Sequence, residues 1–219
     1  MRRDPAARWE PSPNFAPGRP DLVRFAVVHG TFSITEQRSL DYLLRSQAPN
    51  RVSSHYLICY SGALLQLVDE ADTAWHAGRS AWGSHTALNG CSVGIEISNR
   101  GPLEPYAEVQ LVALEGLLRR LLARWGLGPE AVLGHSDIAP ARKDDPGTHF
   151  PWARLEAAGL AAPWRPAGAG ADPLAALRSW GWRGQDAEIL AAFQRRYLPR
   201  GLSGRLDAAT RRRILGAAQ

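Results

Sequence analysis

Lysine is almost absent from this chain of 219 residues: of 26 basic side chains, 25 are arginine and one, Lys143, is lysine. Cysteine is as scarce. Cys59 and Cys91 cannot make a disulfide scaffold, and their separation matches no zinc-finger spacing, so they read as buried free thiols. No run approaches the ~18 apolar residues of a transmembrane helix. Behind the basic start Met1-Arg2-Arg3 there is no apolar stretch, so no signal peptide is visible and a cytoplasmic location is expected, with the periplasm as the alternative if a leader has been removed. Disordered or fibrous character is excluded by 45% hydrophobic and 21% charged residues.

What is present is unevenly placed. Residues 171–219 carry nine arginines against four acidic side chains, while the first 170 residues balance to zero, so the formal charge of +5 belongs to the tail. That excess reads either as a solvated basic helical surface or as attraction to a polyanion. Nothing in the sequence points to nucleic acid. A chain that uses arginine nearly everywhere yet keeps one lysine suggests a task for a compact ammonium rather than a planar guanidinium.

Along the chain, 1–21 is rich in proline and arginine and reads as an extended arm. The apolar run 25–28 stops at His29-Gly30 as a buried strand. A helix is expected over 35–47, a hairpin over 54–60 and 63–68, a long loop through 75–90, and a strand over 91–97. Pro105 is expected to open an amphipathic helix to Trp125 with Val109, Val112, Leu117, Leu121 and Leu122 on its apolar face. A last strand, 131–134, ends at His135. This alternation predicts an α/β domain with a central mixed β-sheet flanked by helices over 22–160. Residues 161–171 read as a flexible linker, and 172–219 as a small three-helix module with helices over 173–180, 187–197 and 208–217.

Two strands therefore end in histidine, where α/β proteins build their sites. Asp145 follows His135 by ten residues in a loop stiffened by proline and glycine. Two imidazoles and a carboxylate with one open position form a catalytic zinc arrangement, although strand-end histidines also serve structural roles.

Five segments occur in order: Val27-Val28-His29, Ser54-His55-Tyr56-Leu57-Ile58, Ala74-Trp75-His76-Ala77-Gly78, Ser92-Val93-Gly94-Ile95-Glu96, and Gly134-His135-Ser136-Asp137-Ile138-Ala139-Pro140-Ala141-Arg142-Lys143-Asp144-Asp145-Pro146-Gly147. Together they resemble the zinc-dependent N-acetylmuramoyl-L-alanine amidases of the amidase-2, peptidoglycan-recognition-like fold, over about residues 20–155. The resemblance implies one zinc ion on His29, His135 and Asp145, with Glu96 and Lys143 as catalytic side chains. It implies a peptidoglycan or muropeptide substrate, cut between N-acetylmuramic acid and L-alanine. Non-catalytic relatives of this fold lack a zinc ligand, whereas all three positions are filled here. Gly30 departs from the pattern, since many relatives carry an aromatic residue after the first ligand.

These roles make chemical sense. Zinc lowers the pKa of bound water from about 16 to about 7. Glu96 can take the water proton and return it to the departing amine, and Lys143 can stabilise an oxyanion. Trp75, His76, Asn89 and Arg142 are candidate substrate contacts; Arg142 suits a carboxylate but could equally be a surface arginine. His55 reads as structural or as a support behind the site residues, and His85 and His149 as uninvolved. The tail, through Gly181-Trp182, Phe193, Tyr197, Gly204, Asp207 and Thr210, resembles the peptidoglycan-binding type-1 module, with Phe193 a core residue. A cytoplasmic amidase would meet imported anhydro-muropeptides during recycling; a polymer-binding tail would suit a periplasmic enzyme remodelling the wall.

Overall fold

The computed structural model describes residues 2–46, 49, 51–102 and 104–216. The N-terminal arm supplies β1 (Arg8–Trp9) and β2 (Phe15–Ala16), followed by β3 (Phe25–Gly30), α1 (Glu36–Arg45), β4 (Tyr56–Ile58) and β5 (Leu64–Gln66). The long loop contains short strands β6 (Thr73–Ala74), β7 (Ala81–Trp82) and β8 (His85–Thr86) before β9 (Ser92–Ile97). Then come α2 (Glu108–Trp125), β10 (Val132–Gly134), α3 (His135–Ile138) and α4 (Trp152–Ala157). The tail forms α5 (Pro173–Trp180), α6 (Asp186–Tyr197) and α7 (Ala208–Leu215). The expected helix ends at Gln47 and Ala217 lie outside the described residues. No helix among those described is long and apolar enough to cross a membrane.

Six strands form a mixed sheet in the order β1-β5-β4-β9-β3-β10. The four strands β4, β9, β3 and β10 run parallel, and β4–β5 is the antiparallel hairpin. Because side chains alternate along a strand, each central strand feeds both faces. Val28, Ile95, Ile97 and Ile58 pack against Leu114, Leu117, Leu118 and Leu121 of α2. The inward stripe of α2 is thus 111, 114, 117/118 and 121/122, the spacing of one helix face. Val109 and Val112, expected inside, are 52% and 56% exposed. The helix also begins at Glu108 rather than Pro105, where the Gln110 side chain accepts from the Ala107 N–H at 3.1 Å.

The other face carries two apolar patches with a polar gap between them. One joins Leu57, Leu65 and Leu67 to Leu43 of α1. The second joins Val27 and Leu133 to Leu177, Trp182, Ile189 and Phe193 of the tail. The segment 161–171 is pinned rather than flexible: Trp164 is buried, donates from Nε1 to the Ile214 carbonyl at 3.2 Å, and packs on Trp180 and Phe193. The arm is likewise fixed, since buried Asp4 pairs with Arg120 at 2.8 Å and Arg124 at 3.2 Å.

Candidate metal centre and groove

The polar gap is where the site forms. β3 and β9 run in register, with His29 beside Glu96, and both side chains fall on the face opposite α2. β10 begins at Val132, one residue later than expected, and ends at Gly134, and His135 opens the helical turn α3 next to β3. The following loop folds back because the Ser136 N–H donates to the Asp145 carbonyl at 2.9 Å.

Three ligand atoms converge there. His29 Nδ1, His135 Nδ1 and Asp145 Oδ2 lie 2.9, 3.1 and 3.2 Å from one another, all on buried residues. Burial and the neighbouring His135 push His29 down to about 4, so its imidazole is neutral at pH 7. Burial opposes ionisation of Asp145, but His135 and His29 overcome it and hold the carboxyl well below the usual range.

The hydrogen-bond network assigns the imidazole protons. Ser92 Oγ donates to the Leu88 carbonyl at 2.6 Å, so its oxygen accepts from His76 Nε2 at 3.2 Å. His76 Nδ1 is then the acceptor for His29 Nε2–H at 3.0 Å, which leaves the lone pair of His29 on Nδ1. His135 Nε2 lies 3.3 Å from the Ala77 carbonyl and 3.4 Å from Arg142 Nη2; the shorter contact, to the carbonyl, favours the proton on Nε2 and the lone pair on Nδ1. Two nitrogen lone pairs and an anionic oxygen thus meet with no proton of their own between them. That donor set fits a divalent cation, zinc in particular, with three protein ligands and room for a fourth.

All nine residues singled out in the sequence, including Glu96, Lys143, Trp75, His76, Asn89 and Arg142, line one cavity of about 680 Å³. Glu96 Oε2 is buried with no hydrogen-bond partner among the described residues. Its carboxyl is pushed up to about 8 by burial, reinforced by Asp145 and opposed by Lys143. Asn89 Oδ1 accepts from the His76 and Ala77 N–H groups at 3.1 and 2.7 Å, shaping the loop. Arg142 donates to the carbonyls of Arg79, at 3.0 Å, and Ala77, joining the two loops that frame the cavity. His55 is structural, accepting from the Gly94 N–H at 3.0 Å. His85 packs on Phe25, and His149 lies exposed.

Sequence reasoning did not find Ser92, Phe32, Arg38, Tyr42 or Arg51, the last four of which line the cavity. Ser92 was accessible in principle, because 92, 94 and 96 alternate onto one face of β9. Gly30 has a steric reason: a Cβ there would sit 2.5 Å from Tyr106 Oη and 2.9 Å from the Phe32 ring. Tyr106 in turn donates to the Pro146 carbonyl at 2.8 Å, next to Asp145.

The Amidase_2 family, described as N-acetylmuramoyl-L-alanine amidase, matches this chain over residues 17–148. The chain belongs to that family. It is 40% identical to N-acetylmuramoyl-L-alanine amidase AmiD of Escherichia coli K12 over 155 residues, 64% of this chain and 54% of that protein. It is 38% identical to 1,6-anhydro-N-acetylmuramyl-L-alanine amidase AmpD of Citrobacter freundii over 107 residues, 49% of this chain and 57% of that one. The chain thus matches a little over half the length of these curated relatives. Among solved structures, AmpDh3 of Pseudomonas aeruginosa in complex with anhydromuramic pentapeptide superposes with a TM-score of 0.78 at 31% identity, covering 98% of this chain and 96% of that one. E. coli AmiD in complex with anhydro-N-acetylmuramic acid-L-Ala-D-gamma-Glu-L-Lys gives 0.76 at 33% identity, covering 88% and 86%.

Proposed function

We propose that this amidase-family chain is a zinc enzyme that hydrolyses the amide between N-acetylmuramic acid and L-alanine, with soluble anhydro-muropeptides as substrate. The observation that carries the reading is the meeting of three ligand atoms, 2.9 to 3.2 Å from one another, beside Glu96, whose Oε2 is buried without a hydrogen-bond partner among the described residues. The anhydromuramic peptides in the AmiD and AmpDh3 complexes support the choice of substrate.

His29, His135 and Asp145 would hold the zinc. When bound, the ion polarises the scissile carbonyl and acidifies water. Glu96 takes a proton from the attacking water as its oxygen bonds to the carbonyl carbon. The Lys143 ammonium, lining the same cavity, faces the oxyanion that develops. As the carbon–nitrogen bond breaks, Glu96 gives the proton to the departing L-alanine amine. The products are a muramic acid carboxylate and a free peptide. Along the groove, Trp75, His76, Asn89 and Arg142 contact the substrate, and Arg38 and Arg51 suit stem-peptide carboxylates.

The resemblance of the tail to a polymer-binding module favours a second reading, action on polymeric wall. Digestion of intact sacculi and soluble anhydro-muropeptides side by side, followed by mass analysis, separates the two. Release of whole stem peptides from the soluble substrate is expected; no release from either substrate by zinc-loaded protein overturns the activity. Fractionation of source cells decides between the cytoplasm and the periplasm.

A further inference from the structure

Two consecutive arginines of α6 reach from the C-terminal helices to the loop that bears His135, Lys143 and Asp145. Arg196 Nη1 donates to Asp137 Oδ2 at 2.6 Å, with only 4% and 1% of the two side chains exposed. The same Asp137 oxygen accepts from the Gly134 N–H at 2.8 Å, fixing the peptide immediately before His135. Arg196 Nη2 also donates to the Val132 carbonyl at 3.3 Å, and its guanidinium lies 4.0 Å from the Trp152 ring centroid. Arg195 Nη2 donates to Asp144 Oδ1 at 2.7 Å, between Lys143 and Asp145. Successive side chains leave a helix about 100° apart, so the two guanidinia diverge and hold the two ends of the eight-residue stretch from Asp137 to Asp144.

We propose that Arg195 and Arg196 are positioning residues for the metal centre, and that the C-terminal helices act on it from behind rather than only as a polymer anchor. The inference rests on the zinc-amidase reading. Neither arginine lines the cavity, so neither touches substrate. A buried ion pair adds little net stability over an apolar pair of the same volume, but it does specify geometry. The geometry specified here is the direction of His135 out of β10 and of Asp145 out of its loop. The connection between α5 and α6 also touches the long loop after β6, where Gly83 N–H donates to the Gly181 carbonyl at 2.8 Å and Trp182 packs edgewise on Trp82.

The test uses the full chain with Arg195→Met, Arg196→Met and Arg196→Lys. Zinc affinity is read by chelator competition, kcat and KM on an anhydro-muropeptide, and Tm on metal-free protein. Arg196→Met is expected to weaken zinc binding about 10- to 100-fold, the scale for residues that orient metal ligands, and to lower kcat with KM little changed. Arg196→Lys keeps the charge but not the two-pronged grip, so it regains Tm without regaining zinc affinity. If Arg196→Met does not fold, the lysine variant and Arg195→Met, whose partner Asp144 is mostly exposed, carry the test. Native zinc affinity and kcat in these variants, alongside a lowered Tm, would mean that the arginines merely staple the tail, and the proposal falls. An unmodified chain that binds no zinc overturns the functional reading and this one together; an unmodified chain that binds and cleaves, with variants that match it, overturns this one alone.

Discussion

Nε2 of His29 lies 3.0 Å from Nδ1 of His76, and this contact decides which nitrogen of His29 is free to bind a metal. The proton order runs back to one hydroxyl, Ser92 Oγ, whose hydrogen is committed to the Leu88 carbonyl. Ser92→Ala removes the acceptor for His76 Nε2–H and lets His76 adopt either tautomer. Zinc affinity is then expected to fall about 10- to 100-fold with the fold retained, measured by chelator competition. Unchanged affinity would show that the tautomer is set elsewhere.

Ligands and base separate cleanly by metal content. His29→Ala and Asp145→Ala each remove one of three protein ligands and are expected to strip the zinc. Glu96→Gln keeps the metal and the fold but loses ~10²-fold or more in kcat, the scale of general acid–base catalysis. Metal analysis beside turnover checks both; a Glu96→Gln variant of near-native rate moves the base to another residue.

Lys143→Met is expected to spare the metal and cost ~10²-fold or more in kcat, the scale of one oxyanion donor. Lys143→Arg recovers little, because the planar guanidinium cannot take the place of a compact ammonium. An arginine variant at the native rate would make the single lysine incidental.

Burial, with Glu36 nearby, pushes the Cys59 thiol up to about 12, and burial raises Cys91 as well. Since the thiolate is the reactive form, both cysteines stay protonated at pH 8. Native protein should react slowly with a thiol reagent at that pH and quickly in denaturant. Equal rates in the two states would contradict the burial.

The sheet, the hairpin and the tail helices were legible because strand alternation, turn residues and caps are local signals. The site roles of His29, Glu96 and the ligand loop were legible through the family resemblance of their motifs, whereas the register that sets His29 beside Glu96 was not, because alternation reports a face and not a neighbouring strand. The facing of α2 was misjudged because Val109 and Val112 are apolar residues that the fold leaves in solvent, and no count of hydrophobic residues reports that. The pinning of 161–171 was hidden for a similar reason: its alanines and glycines suggest flexibility, while one residue, Trp164, decides the outcome through contacts with α5, α6 and α7. The Arg196–Asp137 pair joins positions 59 apart in the chain, and no local pattern encodes it.

The single lysine has a consequence for handling the protein. Beyond the N-terminus, Lys143 is the only amine, and it lines the cavity. Amine-reactive dyes, biotinylation reagents and activated resins, which normally scatter over a protein surface, have a single side chain to modify here, and modifying it blocks the groove. Acylation at that position, followed by mass spectrometry, therefore serves as an occupancy gauge: a ligand seated in the groove shields the amine, and the fraction labelled reads its binding directly, without turnover.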